Sequence, residues 1–495
     1  MSDSELGYER LGEAKLSLVD VVSQSVGFMG PVFSAAFLIP LIAGLGAAGK
    51  GAGVATPFAV LLGAVGIFAL GWIVAQYAKR VHAAGSLYDY VSMGLGGKVG
   101  GVAGWLYYGG TTVLASAIAV LIGGLIHDSL FTPDPAAPGV LSMESPLPVW
   151  GWSILFVAAV FLVMYLGVQI STRVQLALSL VSAVVVLAFA IDVIIKVGGD
   201  NSLKAFNPSE AADGWSGIFF AVMYGVLIFV GFETAANLAE ETAEPKRSIP
   251  RAVMLTLVIA TGFYVILAYA QVAGFGFDLK TILGPAAAAP LFALGSPESA
   301  GGYGSDTILK LLIVVVILDV MAVGLGAAVA STRGIFALAR DRRIPGGLAK
   351  VSATRGTPVG AIAFVSLWSI AMVLMTEWRP ETFALPLAPA YFSMFAWLST
   401  FGGFALVVVY GVMALGAFHG LRGHPNMAGV YLASVVGIVI AGGAVYGALY
   451  KVPSPTKLVP LYALGWLILG VLVAMTVQGR EPASSVLGDL RSEGA

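Results

Sequence analysis

Two glycine-interrupted stretches inside long apolar segments most constrain what this chain can fold into. The first is Gly27-Phe28-Met29-Gly30-Pro31, and the second runs from Tyr224-Gly225 to Gly231 and on into Phe232-Glu233. A helix broken in the middle of a bilayer frees backbone N–H and C=O groups where there is no water. Lipid cannot satisfy them, so they must face protein, a cavity or a bound solute. Five spans separate the two starting points. Breaks at matching positions in two halves of a membrane protein point to a binding site near mid-membrane.

Composition supplies the membrane. Of 495 residues, 58% are hydrophobic and 11% charged, against about 25% charged in a soluble domain. Apolar runs of roughly 18 residues or more, enough to cross a bilayer, recur along almost the whole length. We expect an all-α polytopic membrane protein with twelve spans, at roughly 20–46, 54–78, 99–126, 149–170, 174–197, 215–239, 250–275, 307–339, 358–376, 388–418, 428–449 and 458–478. The fourth and fifth are parted only by Ser171-Thr172-Arg173, read as a tight hairpin, and the eighth is longer than a bilayer requires. With the N-terminus inside, the inner segments hold 18 Lys and Arg and the outer loops 8. The positive-inside rule therefore puts both termini in the cytoplasm, in a cell membrane. The acidic N-terminal residues Asp3, Glu5 and Glu9 do not resemble a cleaved signal peptide.

Several function classes lose support here. A net charge of -1 offers no basic face to nucleic acid, and the absence of cysteine excludes disulfide and thiol chemistry. Gly44-Leu45-Gly46-Ala47-Ala48-Gly49 fits a dinucleotide glycine pattern only formally, because it follows an apolar helix rather than a strand. No Walker A lysine loop is present. The four histidines, His82, His127, His419 and His424, lack metal-ligand spacing. We therefore expect no metal, no cofactor and no enzyme. Nothing in the sequence fixes an oligomeric state.

Each break has its own chemistry. Pro31 lacks an N–H and clashes with the carbonyl four residues back, so a helix entering at Ser23-Gln24-Ser25 stops and restarts near Val32-Phe33-Ser34. The free N–H groups and positive dipole end of the restarted half-helix make a seat for a carboxylate. A simple proline kink is the plainer alternative. The second break adds a carboxylate, Glu233, in a setting where an ionisable group costs at least ~2.5 kcal/mol. Carbonyls released there can hold an ammonium group.

Around these residues the sequence resembles the amino acid–polyamine–organocation (APC) superfamily of permeases. The similarity is most specific in Phe229-Val230-Gly231-Phe232-Glu233, Ala239-Glu240-Glu241-Thr242 and Glu244-Pro245-Lys246-Arg247-Ser248-Ile249-Pro250-Arg251. It extends to Ser331-Thr332-Arg333 through Ala339-Arg340-Asp341, Ile344-Pro345 and Gly356-Thr357-Pro358, and to Gly85-Ser86-Leu87-Tyr88-Asp89-Tyr90-Val91. The resemblance implies a LeuT-like fold. Residues 20–197 and 198–418 would be five-span inverted repeats, and 419–478 two peripheral spans, between a cytoplasmic segment 1–19 and a tail 479–495. Where many relatives carry Gly-Ser-Gly at the first break, this chain has Gly30-Pro31-Val32-Phe33-Ser34-Ala35. In the following loop Pro245 is read as a helix stop, with Ser248 capping the next helix and Pro250 in its first turn.

The expected substrate-binding residues are Ser25, Gly27, Gly30, Ser34, Tyr108, Phe229, Gly231, Phe232 and Glu233, with Asp319 and Glu233 carrying a proton or otherwise coupling transport. Asp319 lies halfway along span eight with no Lys or Arg within reach in its own span; a buried, permanently neutral Asp is the alternative. Tyr108 competes with a packing role, and Tyr391 and Trp397 are gate candidates. Residues 320–330 offer no side-chain oxygen for a sodium ion, and span five has no mid-span lysine. The expected activity is secondary transport of an amino acid or related amine in the lipid bilayer, driven by protons or by exchange. A polyamine or organic-cation carrier on the same fold is the second reading, and a channel or sensor the third.

Overall fold

The computed structural model describes residues 11, 15–45, 51–131, 140–284, 289–384, 389–449 and 456–477. Most of the expected N-terminal segment 1–19, part of the glycine pattern at 44–49 and the whole tail 479–495 lie outside the described residues.

Apolar stretches fold into helices across a membrane because every backbone polar group must be paired within the segment. The spans are α1 (Leu18–Ala43), α2 (Gly53–Ala78), α3 (Gly97–Leu130), α4 (Val149–Leu166), α5 (Val168–Asp200), α6 (Gly214–Leu227), α7 (Pro245–Gly274), α8 (Asp306–Arg340), α9 (Val359–Trp378), α10 (Ala390–Gly420), α11 (Met427–Leu449) and α12 (Val459–Thr476). Eleven of these are long and apolar enough to cross a bilayer. The exception is α6, with 14 residues, which stops at the second break and continues as a 3-10 helix over Thr234–Glu241. No named strand occurs among the described residues, only isolated bridges.

Burial separates the centre from the rim. In the most apolar window of α1 and of α3, 89% of residues are buried, against 22% in α4 and α12. Broken α1 and glycine-rich α3 are therefore core elements, and α4 and α12 face lipid. α3 packs along α8 and α10, and α1 along α5, α7 and α8. Burial of apolar surface does not drive such contacts in lipid, so close backbone approach counts instead. A Cβ on Gly63 of α2 would sit 2.8 Å from the Gly225 carbonyl oxygen of α6.

Two boundaries differ from the sequence reading. The turn between the fourth and fifth spans is at Gly167, whose φ of 131° and ψ of 157° belong to a region open essentially to glycine alone. Ser171-Thr172-Arg173 accordingly lie inside α5. Pro245 does not stop a helix but starts one, at the first position of α7, so Ser248 is not its cap and Pro250 lies inside the helix. A proline at the first helical position loses nothing, because its missing N–H would have been unpaired anyway.

Candidate functional site

The first break is a single residue wide. α1 runs as a helix to Met29, Gly30 takes a left-handed conformation (φ 54°), and the helix restarts with Pro31 at its first position. Pro31 is thus a helix start rather than a kink. Gly27 remains helical, and the space its side chain would need is filled by Gln175 of α5. Ser34 donates its hydroxyl to the Met29 carbonyl at 3.0 Å, pairing one of the acceptors the break released.

The donors released at the same place are held by a carboxylate from another span. Asp319 of α8 accepts hydrogen bonds at one oxygen from the Val32 N–H (2.9 Å) and the Phe33 N–H (2.8 Å). It is completely buried, and the Ser179 hydroxyl of α5 sits beside the same carboxyl. The N–H groups of the restarted half-helix are therefore paired by a side chain of the chain itself.

The second break is wider. α6 ends at Leu227, and Gly231 takes a φ of 115°. A Cβ there would lie 2.9 Å from the Met29 backbone nitrogen, so only glycine lets the two breaks touch. Ser25 ties them together: its hydroxyl donates to the Phe232 carbonyl (3.0 Å) and accepts from the Ala235 N–H (3.1 Å). Glu233 precedes the 3-10 helix but does not cap it. Its carboxylate accepts from the hydroxyls of Tyr107 on α3 and Tyr410 on α10, the latter at 2.7 Å, and from the Gly231 N–H at 3.3 Å. Three donors around one buried carboxyl satisfy a group that would otherwise be costly at this depth.

A small cavity lies against both breaks. Its walls include Phe28, Phe33, Leu114, Val230, Val323 and Ser399, from α1, α3, the second break, α8 and α10, around a volume of about 40 Å³. The lining is apolar apart from the Ser399 side chain. On one side Phe33 joins Phe37 and Phe395 in an aromatic cluster with ring centroids 5.8 to 6.4 Å apart. Toward the Arg-rich end of the bundle, buried ion pairs close the structure: Arg333–Glu241 at 3.2 Å and Arg340–Glu240 at 2.9 Å. The Lys15 and Leu16 N–H groups also donate to the Glu241 carbonyl, and the Tyr88 hydroxyl to Asp341.

None of the nine expected substrate residues lines this cavity; they build its frame. Phe229 packs its ring on Tyr264, and Phe232 packs on Tyr410. Tyr108 points away from it, donating to the Gly85 carbonyl and accepting from Asn237. Tyr391 and Trp397 are not in the wall either. The sequence reading gave Tyr107 only a packing role and passed over Tyr410 and Ser399. It also passed over a buried amide pair: Gln24 donates to the Gly326 carbonyl (3.0 Å), and Gln175 donates to Gln24 (3.2 Å). Two glutamines in apolar segments were the available signal.

The amino acid permease model matches residues 25–475. The chain belongs to the amino acid permease family. It is 27% identical over 344 residues to a branched-chain amino acid permease of Bacillus subtilis, covering 66% of this chain and 69% of that protein. A branched-chain amino acid permease of Lactococcus lactis is 24% identical over 334 residues, covering 65% and 67%. A methylthioribose transporter of Bacillus subtilis is 23% identical over 383 residues, covering 69% and 78%. Among solved structures, the crystal structure of MhsT in complex with L-phenylalanine aligns with a TM-score of 0.58 at 15% identity, over 94% of this chain and 100% of that one. The fold is therefore LeuT-like, and the protein is a multi-pass membrane transporter of this family.

Proposed function

We propose that the protein carries an amino acid with an apolar side chain across the cytoplasmic membrane by alternating access, with Asp319 as the coupling group. The observation that carries this reading is the apolar cavity set beside an anion seat that Asp319 occupies. The substrate's side chain would fill the space among Phe28, Leu114, Val230 and Val323. Its ammonium group would meet carbonyls of the second break. Its carboxylate would replace Asp319 on the Val32 and Phe33 N–H groups, and a proton on Asp319 favours that replacement because a neutral carboxyl is the weaker acceptor. The branched-chain permeases among the relatives support an apolar substrate. Glu233, held by three donors, serves as the structural tie of the second break.

Proton coupling or exchange fits better than sodium coupling, because the Gly326 carbonyl of α8 already accepts the Gln24 amide. In this reading residues 20–197 and 198–418 are the two repeats, the interrupted α6 segment counts as the twelfth span, and the Arg-rich end faces the cytoplasm. A thermal-shift screen tests it. At one hundred times its dissociation constant a ligand stabilises by ~2.7 kcal/mol. Leucine, valine or phenylalanine should raise the melting temperature more at lower pH, and their decarboxylated amines should not. A shift by amines or polyamines alone would transfer the assignment to an organic-cation carrier.

A further inference from the structure

A second cavity, larger than the first, lies toward the Arg-rich end, between α3, α8, α9, α10 and α12. Its volume is about 310 Å³, within walls that include Trp105, Leu338, Phe364, Trp368, Phe401 and Trp466. Nothing in the transport reading uses it. None of its wall residues is charged. An apolar void forfeits dispersion contacts along every wall while it stays empty, and this one has the size of pockets that hold a ligand, roughly 300–1,000 Å³.

Its construction is specific. α12 is otherwise largely lipid-facing, yet Trp466 stacks on Trp105 of α3 with centroids 4.5 Å apart. Each indole N–H donates to the other residue's backbone carbonyl, at 3.1 and 3.3 Å. With both N–H groups paired, the two rings are pinned as one apolar wall. Along α3 the lining runs from Trp105 to Val113, about 12 Å at 1.5 Å per residue, and it continues to Ile344, Pro345 and Leu348 beyond the end of α8. Phe364 is 39% exposed, so the cavity borders the bilayer.

The rim is cationic. Ile344 and Pro345 adjoin Arg342 and Arg343, and the Arg343 side chain lies 3.4 Å from where a Cβ on Gly101 of α3 would be. Arg342 is exposed, as is Lys98 in the first turn of α3. An apolar slot bordering lipid, with Arg342 and Arg343 adjoining its Ile344–Pro345 wall and Lys98 two turns before Trp105 on α3, matches one class of ligand. We propose that the cavity takes an acyl chain of an anionic phospholipid, with its headgroup on Lys98, Arg342 and Arg343. Tyr108 forms part of the wall and accepts from Asn237 of the 3-10 helix after the second break.

Native mass spectrometry of the full chain in mild detergent, incubated with phosphatidylglycerol or with phosphatidylcholine, tests this. One phosphatidylglycerol should remain per chain, with phosphatidylcholine retained roughly tenfold less, since each basic side chain near an anionic headgroup adds to binding. Val113→Trp fills the slot and should abolish retention of either lipid. Lys98→Gln with Arg342→Gln changes exposed residues only, and should equalise the two lipids without abolishing both. Equal retention of the two lipids by the unaltered protein overturns the headgroup assignment, as does an undiminished phosphatidylglycerol preference in the Gln pair. Undiminished retention in folded Val113→Trp overturns the site. None of these readouts involves transport, so their failure is distinct from failure of the carrier reading.

Discussion

Replacing Asp319 with Asn separates the two ways in which a carboxylate on α8 could serve transport. In the folded protein one carboxylate oxygen accepts from the Val32 and Phe33 N–H groups at 2.9 and 2.8 Å. Asn keeps an acceptor of the same size in the same place and removes the charge. A hydrogen bond to a charged group contributes about 1.5–3 kcal/mol, and a neutral one about 0.5–1.5. Two weakened bonds therefore loosen the resident side chain by about 2 kcal/mol. If a substrate carboxylate must displace residue 319, that difference reappears as tighter binding, by up to about 30-fold at 1.4 kcal/mol per tenfold. The pH response should vanish with the charge. On the proposed reading, lowering the pH would put a proton on Asp319, weaken its hold on the seat and raise substrate affinity in the unaltered protein; the Asn variant would have no such step. Substrate titration by calorimetry at two pH values, with counterflow and concentrative uptake in proteoliposomes, measures all of this. Counterflow should survive in Asp319→Asn and concentrative uptake should not. If instead the residue faces a substrate amine, the same change weakens binding. Affinity and pH response both unchanged would refute any exchange of carboxylates at this seat.

Three further outcomes follow from the same geometry. Tyr410→Phe removes one donor from the buried Glu233 carboxylate and should lower stability by about 1.5–3 kcal/mol, read as a fall in melting temperature with the cavity itself unaltered. Gly30→Ala should fail to yield monodisperse protein in size-exclusion chromatography, because a Cβ at this left-handed residue falls 2.0 Å from Val323 Cγ2, whereas Ala at Gly442, where a Cβ meets nothing within 4 Å, should be silent. Since the chain has no cysteine, Ser399→Cys supplies the only thiol, in the cavity wall; a membrane-impermeant maleimide should label it from one side at a time and saturating substrate should protect it. Labelling unaffected by any transported substrate would detach the cavity from the transport path.

What the sequence revealed of this site is what local chemistry dictates. A left-handed residue followed by a helix start requires glycine and then favours proline, so Gly30-Pro31 is compatible with a break, but a proline kink reads the same way until the second break is set beside it. The second break was plain in Gly231 and Glu233. Partners were not legible. Asp319 meets the Val32 N–H across 287 residues of chain, and no pattern within α8 specifies which helix end its carboxylate will reach. Tyr107 and Tyr108 show a second limit. They are neighbours, about 100° apart around a helix, and one holds Glu233 while the other lines the slot beside α12. On an amphipathic helix the polar face would have decided between them. α3 is buried nearly all round, so its sequence carries no face to read. The hairpin placed at Ser171-Thr172-Arg173 failed for a related reason: polar residues inside α5 imitate a loop, while the real turn needed only Gly167.

Three contacts of α8 with the broken spans fall on one line. Asp319 holds the N–H groups of α1 after its break, the Gly326 carbonyl accepts Gln24 from before the break, and Arg333 pairs with Glu241 beyond the second break. These residues are seven apart, close to two helical turns, so they share one face along about 21 Å of helix. Each contact is polar and buried, and none is covalent. Such contacts hold strongly when made and can be remade with another partner, a proton or a substrate carboxylate at Asp319 and water at Arg333 once that end opens. The two breaks are bonded to each other through Ser25 and pressed together at Gly231 and Met29. The physical expectation is that α1 and the segment after α6 move as a unit along this face of α8. A substrate that displaces Asp319 then releases the first of three holds in a row, which is how occupation of a small cavity can be felt at ion pairs near the far end of the same helix.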